Sequence, residues 1–322
     1  MRVVPTDLNI KLRQPGISGF MRLKDEELYL DAAIASHIEF LDELILVYNN
    51  CTDSTPEICR KWEALYPDKV TVYEYTPYVY PVGTVESRTL PVDDEGTLAN
   101  FYNYSLSKTT REIAIKIDGD HIAVPDVFLR AAEQARELKD NEWLSLRGAN
   151  LFECEGQLYM SNGYGNQLTA GSHRRGGTPP ITGGDHAFFV VAEDTWHEMD
   201  PVEGYEILKL HKIKDTVVSY KPVAFLHLKG VKHDKGMKNW ELDRYQDSSR
   251  QPWAQAVLSA GPSELLTLGE AEILYPNYYR EYPYRLLEKY NINLPYAAPS
   301  YAKRITARWH KCLHNEESKL TH

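Results

Sequence analysis

The stretch GFMRLKDEELYLDAAIASHIEFLDELILVYNNCTDSTPEI, residues 19–58, decides the fold class. Ile17–Arg22 has the pattern of a short buried strand, and Asp25–Ile38 follows with apolar residues at helical spacing. Leu44–Tyr48 is a continuous apolar run, which is typical of a strand covered on both faces. Ser54–Glu57 then matches a capping box at the start of a second helix. This alternation predicts βαβ units and a mostly parallel sheet flanked by helices.

The same alternation continues towards the C-terminus. Right-handed crossovers bring the C-terminal ends of parallel strands to one edge of a sheet, where ligands bind. We therefore expect Tyr48–Asp53 and Asp118–His121 to face one crevice. Further strands are predicted over Val70–Tyr75, Glu112–Ile117, Ala187–Ala192 and, as a pair broken near Pro222, Val217–Leu228; further helices are predicted over Leu98–Leu106 and Val127–Lys139.

The composition excludes several classes of protein. The chain has 322 residues, with 36 Lys and Arg against 46 Asp and Glu, a net charge of −10 and a mean hydropathy of −0.47. These values are typical of a globular protein, and the acidic balance argues against a nucleic-acid partner. No apolar run approaches the ~18–20 residues of a membrane span. The first fifteen residues hold no apolar signal segment and the cysteines form no metal pattern, so we expect a cytoplasmic protein.

The most informative short motif is Lys116-Ile117-Asp118-Gly119-Asp120-His121. Two carboxylates flank a glycine directly after an apolar strand, and carboxylates with phosphate oxygens are typical ligands of a divalent cation. The alternative is a turn at the end of the strand, capped by its own Asp side chains. The position after a central strand favours a metal site at Asp118 and Asp120, whereas His121 is expected to bond locally.

In combination, several motifs resemble a known enzyme family. The stretch quoted above, Asn103–Leu106 in an N-x-x-L pattern, and the IKIDGDH run resemble the nucleotide-sugar half of GT-A-fold glycosyltransferases. They are most similar to the inverting family-2 enzymes of bacterial surface polysaccharide synthesis. The resemblance covers roughly residues 17–130. It implies a Rossmann-like GT-A fold with a mixed acceptor-side region and a helical C-terminal extension.

The resemblance also implies a division of the chain. Residues 1–240 are expected to form the catalytic domain, with 17–130 as the nucleotide-sugar-binding half and 140–240 as the acceptor-side half. Residues 241–322 are expected to form a Tyr-rich, mainly helical extension. Within it, 301–314 has the pattern of a basic amphipathic helix, which permits peripheral contact with the inner face of a membrane. Packing of this helix on the domain is the other interpretation.

The family's functional residues map onto positions of this chain. Gly183–Phe189 resembles the segment that carries the catalytic acid or base, which makes Asp185 the expected base. His227 closes a strand in an element resembling His-x-x-Gly-x-x-Lys, and its imidazole would join Asp118 and Asp120 as a third metal ligand and favour Mn²⁺ over Mg²⁺. Contacts to the nucleotide-sugar donor are expected from Arg22, Glu26, Asn49, Asn103, Lys116, Asp118, Lys229 and Lys232.

The implied reaction is metal-dependent transfer of a sugar from a nucleotide-sugar donor to a hydroxyl of a glycan or lipid-linked glycan. Tyr48 and Tyr102 occupy positions where the family often has Asp and Arg. The nucleotide base of the donor is therefore left open, and a UDP-sugar is favoured. Glu203 and Glu206 compete with Asp185, although their spacing of three is typical of a solvated helical face. The alternatives are a retaining glycosyltransferase, a nucleotidyltransferase and an inactive carbohydrate-binding protein of the same fold.

Two further features have weaker patterns. Arg174 and Arg175 lie in a segment, 162–184, that is rich in Gly, Ser, Thr and Pro; loop arginines of this kind either bind an anion or are solvated. The spacing of four histidines indicates no site: His173, His186, His197 and His211.

Overall fold

A computed structural model describes residues 4–81, 84–139, 142–154, 157–161, 186–199, 206–210, 216–230, 265–267, 287 and 289–292. The strands are β1 (Gln14–Leu23), β2 (Glu43–Tyr48), β3 (Val70–Glu74), β4 (Arg111–Lys116), β5 (His121–Ala123), β6 (Glu142–Cys154), β7 (Gln157–Ser161), β8 (Ala187–Val190), β9 (Thr195–Met199), β10 (Glu206–Leu210), β11 (Thr216–Gly230) and β12 (Leu265–Thr267). The α-helices are α1 (Leu30–His37), α2 (Thr55–Leu65), α3 (Val85–Thr89), α4 (Leu98–Ser107) and α5 (Pro125–Ala135). Short 3₁₀ turns cover Pro5–Leu8, Ile10–Leu12 and Ile38–Phe40.

The central sheet is mostly parallel, as the sequence predicts. Its strand order is β12-β7-β6-β8-β4-β1-β2-β3, and β11 pairs with both β5 and β6. β1 runs parallel to β2 and β4, and β2 runs parallel to β3, so the ends of these strands share one edge. β8 is antiparallel to β4 and β6, and β9 with β10 forms a separate antiparallel pair. The α/β fold class is therefore confirmed, with its mixed part beyond β4.

The core lies on both faces of the sheet. Alternate residues of β2 point to opposite faces, so Leu44 and Leu46 join one apolar cluster while Ile45 and Val47 join the other. The first cluster contains the buried sides of α1 and α5, and the second contains α4. Leu287, beyond residue 240, is buried in the first cluster. β12 also pairs with β7, so this part of the C-terminal region packs on the same sheet.

The first helix begins later than predicted. The pattern places its start at Asp25, but α1 starts at Leu30, and Asp25 itself has a left-handed φ of 52°. The intervening residues are fastened instead to the loop that follows β2. The Thr52 amide donates to Asp25 Oδ1 at 2.6 Å, and the Glu26 amide donates to Thr55 Oγ1 at 2.7 Å. Hydrogen bonds between the two loops therefore replace the first helical turn.

The predicted capping box at the start of α2 is also wrong in its details. Ser54 is the N-cap residue, but its side chain makes no capping hydrogen bond. Asp53 caps the helix instead, because its Oδ1 accepts from the Thr55 amide at 3.0 Å. Its Oδ2 accepts from the Glu27 amide at 3.0 Å. A carboxylate at a helix N-terminus also interacts well with the helix dipole.

Two other boundaries differ from the sequence pattern. α5 ends at Ala135 rather than at Lys139. The predicted strand pair broken near Pro222 is one long strand, β11, whose pairing with β6 shifts register between Ser219 and Val223. A proline has no amide to donate, so an irregularity at this point is expected. Within the described part of the chain, no helix has the length and apolar character needed to cross a bilayer.

Gly148 of β6 is required by the packing of the strand beside it. A Cβ at this position would overlap the edge of the Phe225 ring, which belongs to β11. We expect Gly148→Ala to lower the free energy of unfolding by about 1–3 kcal/mol, because an overfilled core must shift its neighbours. Thermal unfolding checks this, and the double variant Gly148→Ala/Phe225→Leu should recover part of the loss. An unchanged melting temperature of the single variant would contradict the packing.

The buried His37 makes the stability of the fold depend on pH. Burial lowers the pKa of this imidazole to about 4, despite a hydrogen bond to the Ala33 carbonyl that raises it. Between pH 4 and 6.5 the unfolded chain therefore binds more protons, so stability is complete above pH 6.5 and falls as the pH decreases. The free energy of unfolding, measured in urea, should fall between pH 7 and pH 4.5. In His37→Asn we expect this fall to be smaller by about 2–3 kcal/mol. Parallel pH curves for variant and wild type would contradict this.

Candidate functional site

The Asp-x-Asp segment lies in a tight turn between β4 and β5. The His121 amide donates to the Asp118 carbonyl at 3.2 Å, and the Leu228 amide donates to the Asp120 carbonyl at 3.0 Å. A Cβ at Gly119 would lie 3.0 Å from Glu26 Cγ, so this glycine permits the close approach of the loop after β1. Asp118 and Asp120 thus lie at the predicted edge of the sheet, beside the loop that carries Glu26.

Three histidines surround the two carboxylates. His121 and His227 are directly opposite each other in the β5–β11 pair, and their ring centroids are 4.3 Å apart. His186, just before β8, lies with its ring centroid 3.7 Å from that of His121. His227 Nε2 is 3.6 Å from Asp120 Oδ2, and His121 Nε2 is 3.8 Å from Asp118 Oδ2. We refer to these five side chains as the His–Asp cluster.

Burial disfavours the protonated form of the two inner imidazoles of the His–Asp cluster. Burial, reinforced by the neighbouring imidazoles and, for His186, by Lys116, lowers the pKa of both His121 and His186 well below the ordinary value. Among the residues described, neither ring nitrogen of His121 has a hydrogen-bond partner, and neither does Nε2 of His186. A neutral imidazole has one ring nitrogen with a free lone pair, so each of these two rings can offer one ligand atom.

The residues present fit a divalent cation. Ligand atoms of Asp118, His121 and His186 all lie within 4.8 Å of one another, and so do those of Asp120, His121 and His227. Carboxylate oxygens together with imidazole nitrogens are the donors that first-row divalent metals accept. One buried ring nitrogen of His121 and one of His186 would gain a partner when such an ion is held. The local bonding expected for His121 is not seen among the described residues.

A positively charged group lies beside the carboxylates. Lys116 Nζ is 3.4 Å from Asp118 Oδ1 and 5.0 Å from the centroid of the Tyr102 ring, and Arg22 Cζ is 4.8 Å from the same centroid. Burial alone would raise the pKa of Asp118, but Lys116, His121 and Arg22 together hold it below its ordinary value. The carboxylate is therefore ionised, and the cations beside it are suited to an anionic ligand such as a diphosphate.

Glu206 corrects an expectation from the sequence. The spacing of Glu203 and Glu206 was typical of a solvated helical face, but Glu206 begins the strand β10. Its side chain is 14% exposed, and its Oε1 lies 3.9 Å from Lys116 Nζ. Glu206 therefore lies beside Lys116 at the candidate site.

The two asparagines expected to contact the donor are engaged by the protein backbone. Asn49 Nδ2 donates to the carbonyls of Tyr75 and Pro77 at 2.5 and 2.7 Å. Asn103 donates to the His197 carbonyl at 2.9 Å and accepts from the His197 amide at 2.8 Å. These bonds fix the loop after β3 and the strand β9, so both asparagines position neighbouring segments of the site.

Several predicted features lie outside the described residues. They include the proposed base Asp185, the phosphate ligand Lys232, the two arginines with the rest of 162–184, Glu203, and the basic segment 301–314. Lys229 lies in β11, two residues after His227. His186 is the member of the His–Asp cluster that the sequence analysis did not expect, since no spacing along the chain signals it. Its only signal is its position next to Asp185.

A family model supports the resemblance seen in the sequence. Residues 14–140 match the model described as "Beta-1,4-N-acetylgalactosaminyltransferase (CgtA)". The matched part includes the Asp-x-Asp turn and four parallel strands, and this part of the chain is thus similar to glycosyltransferases, as predicted. No curated protein matches the chain in sequence.

Two of the solved structures that resemble this chain have low sequence identity and low TM-scores. S. aureus TarS in complex with UDP is 11% identical, with 71% of this chain and 62% of that chain covered and a TM-score of 0.40. Glucosyl-3-phosphoglycerate synthase from Mycobacterium tuberculosis, in complex with Mn²⁺, UDP and phosphoglyceric acid, is 17% identical, with 46% and 48% covered and a TM-score of 0.29. The chain thus spans about half the length of the mycobacterial protein.

Proposed function

We propose that the protein is a metal-dependent glycosyltransferase that moves a sugar from a nucleotide-sugar donor to an acceptor hydroxyl. The observation that carries this proposal is the His–Asp cluster beside Lys116 and Arg22, at the edge where the parallel strands β1, β2, β3 and β4 end. The match of residues 14–140 to a glycosyltransferase family model supports it. Mn²⁺ or Mg²⁺ is the proposed cofactor, held by Asp118, Asp120 and His227.

The donor diphosphate is proposed to lie between the cation ligands and the positive side chains. A bound cation supplies Lewis-acid neutralisation of the negative charge that develops on the leaving diphosphate. Lys116 and Arg22 contribute fixed positive charge on the same side, in a buried setting where it acts strongly. Lys229 and Lys232 are proposed as further phosphate contacts. Glu26 is proposed to contact the donor from the loop after β1, against Gly119.

Asp185 is proposed as the general base. In sequence it directly precedes His186, whose ring lies in the His–Asp cluster. A carboxylate that takes the proton of the acceptor hydroxyl, on the side of the sugar opposite the leaving group, gives a product with inverted configuration. The acceptor is proposed to be a glycan or lipid-linked glycan of surface polysaccharide synthesis. The donor is proposed to be a UDP-sugar.

A thermal-shift screen tests the nucleotide and the metal together. The full chain is heated with UDP, GDP or CMP, each with and without Mn²⁺. A ligand at 100 times its Kd stabilises the native state by about 2.7 kcal/mol, so UDP with Mn²⁺ should raise the melting temperature by several degrees. UDP without the metal should give a much smaller shift. Equal shifts from all three nucleotides, or none, would contradict the proposed donor class.

The reaction itself is tested with the nucleotide sugar selected by that screen. NMR of the transferred sugar should show an anomeric configuration opposite to that of the donor. Retention would reject Asp185 as an inverting base while leaving the transferase in place. Glycan binding without any donor turnover in Mn²⁺ would reject the enzyme altogether and favour a carbohydrate-binding protein.

A further inference from the structure

We infer that His121 and His186 are additional nitrogen ligands of the cation site, which therefore selects a transition-series ion over Mg²⁺. The sequence resemblance assigns one imidazole, that of His227. The structure places two more imidazoles at the same carboxylates. This inference depends on the proposed function only in that Asp118 and Asp120 hold a cation.

The geometry joins the five side chains into one cluster. His121 belongs to both ligand groups, one with Asp118 and His186 and the other with Asp120 and His227, and each group spans no more than 4.8 Å between ligand atoms. Its ring contacts the rings of both other histidines, at centroid distances of 3.7 and 4.3 Å. A cation bound by either carboxylate is thus within reach of two imidazoles.

The burial of these rings indicates a ligand. His121 is 1% exposed and His186 is 4% exposed, and three of their ring nitrogens have no hydrogen-bond partner among the residues described. A buried polar atom without a partner destabilises the fold. Phenylalanine would fill such positions without that cost. A cation that accepts the lone pair of one nitrogen of each ring gives that nitrogen a partner and explains why imidazoles occupy these positions.

Packing around the cluster holds the rings in position. The Phe225 ring stacks on His121, with centroids 4.5 Å apart and planes 17° apart, and its centroid lies 4.3 Å from that of His186. Gly148 leaves the space that Phe225 occupies. The His186 carbonyl accepts from the Leu146 amide at 2.9 Å. Ligands fixed in this way by their surroundings bind a metal with less loss of side-chain freedom.

The ligand chemistry determines which ion is preferred. Mg²⁺ favours oxygen ligands and retains several waters, so buried imidazoles add little to its affinity. Imidazole suits first-row transition ions, whose affinity rises from Mn²⁺ to Co²⁺ in the Irving–Williams order. We therefore expect the full-length protein to bind Co²⁺ more tightly than Mn²⁺, and both far more tightly than Mg²⁺.

The test is metal binding by the full chain, without nucleotide or acceptor. Mn²⁺ affinity is measured from the EPR signal of the free ion, and Mg²⁺ affinity by competition. His186→Asn and His121→Asn should each weaken Mn²⁺ binding by about tenfold or more, because even residues behind a metal ligand change affinity by ~10–100-fold. Mg²⁺ binding should change by less than about twofold. His37→Asn, which removes a buried imidazole outside the cluster, should change neither affinity.

Pulsed EPR of the Mn²⁺-loaded wild type gives a second measurement that no folding defect of a variant can affect. Nitrogen couplings from more than one imidazole support the inference. Coupling from a single imidazole, or variants with wild-type preference for Mn²⁺ over Mg²⁺, would overturn it. Sugar transfer by a protein with only one imidazole on the ion would reject His121 and His186 as ligands and would keep the proposed function. Several imidazoles on the ion without any sugar transfer would support these two ligands and reject the proposed function.

Discussion

Asp120→Asn should reduce kcat/KM for sugar transfer by about a thousandfold or more, with the fold retained. The side chain is 5% exposed and lies 3.6 Å from His227 Nε2, so asparagine fits the same space but removes the buried charge of the cation site. Loss of several kcal/mol of charge stabilisation corresponds to about three powers of ten in rate. The backbone bond from Leu228 to the residue 120 carbonyl does not depend on the side chain.

Asp126→Asn is the matched control for this variant. Asp126 is in the first turn of α5, 77% exposed, and pairs only with Arg130 at 3.6 Å among the described residues. Surface pairs of this kind contribute little, so kcat/KM should stay within about twofold of wild type. Circular dichroism verifies the fold of both variants. If Asp120→Asn retained Mn²⁺-dependent transfer, the cation site would have to be elsewhere.

Lys116→Met should weaken donor binding and the fold together. The ammonium is 9% exposed, 3.4 Å from Asp118 and 3.9 Å from Glu206, so its removal leaves two partly buried carboxylates without this cation. Removing one partner of a buried pair costs about 3–5 kcal/mol. Donor KM should rise by about a hundredfold, because a positive charge beside the expected diphosphate is lost. Steady-state kinetics and urea unfolding measure the two effects.

The double variant Lys116→Met/Glu206→Gln separates these effects. Neutralising Glu206 should restore part of the free energy of unfolding without restoring donor affinity. Lys61→Met is the control, because Lys61 is half exposed in an ion pair with Asp31 and should change neither quantity by much. If the double variant recovered the donor KM as well, Lys116 would act only through the fold.

The sequence predicted what depends on local pattern. Asp118 and Asp120 directly follow an apolar strand, and strands that alternate with helices must run parallel, so their place at the sheet edge follows from the chain alone. The βαβ order of the first third is found in the structure with boundaries close to those expected. α1 is the exception, because the bonds of Asp25 and Glu26 are made to residues 27 and 29 positions away in sequence.

Residues brought in from distant strands were not predictable in this way. His186 enters the site because β8 inserts antiparallel between β4 and β6, and no local spacing signals that insertion. Glu206 has helical spacing to Glu203 yet lies in a strand, because pairing with β9 overrides the pattern. The surroundings of Tyr102 were also not predictable, since only the structure shows Arg22 and Lys116 close to its ring.

The pairing of β5 with β11 also determines when the site can assemble. His121 and His227 face each other across that pair, although most of the acceptor-side chain is synthesised between them. Contacts so far apart in sequence form late, after long loops have closed. A chain still growing on the ribosome has both carboxylates from residue 120 onwards, but it acquires the opposing strand only after residue 230. A metal ion that encounters the chain during synthesis therefore finds an incomplete set of ligands. Cation binding should indicate that the polypeptide has finished folding.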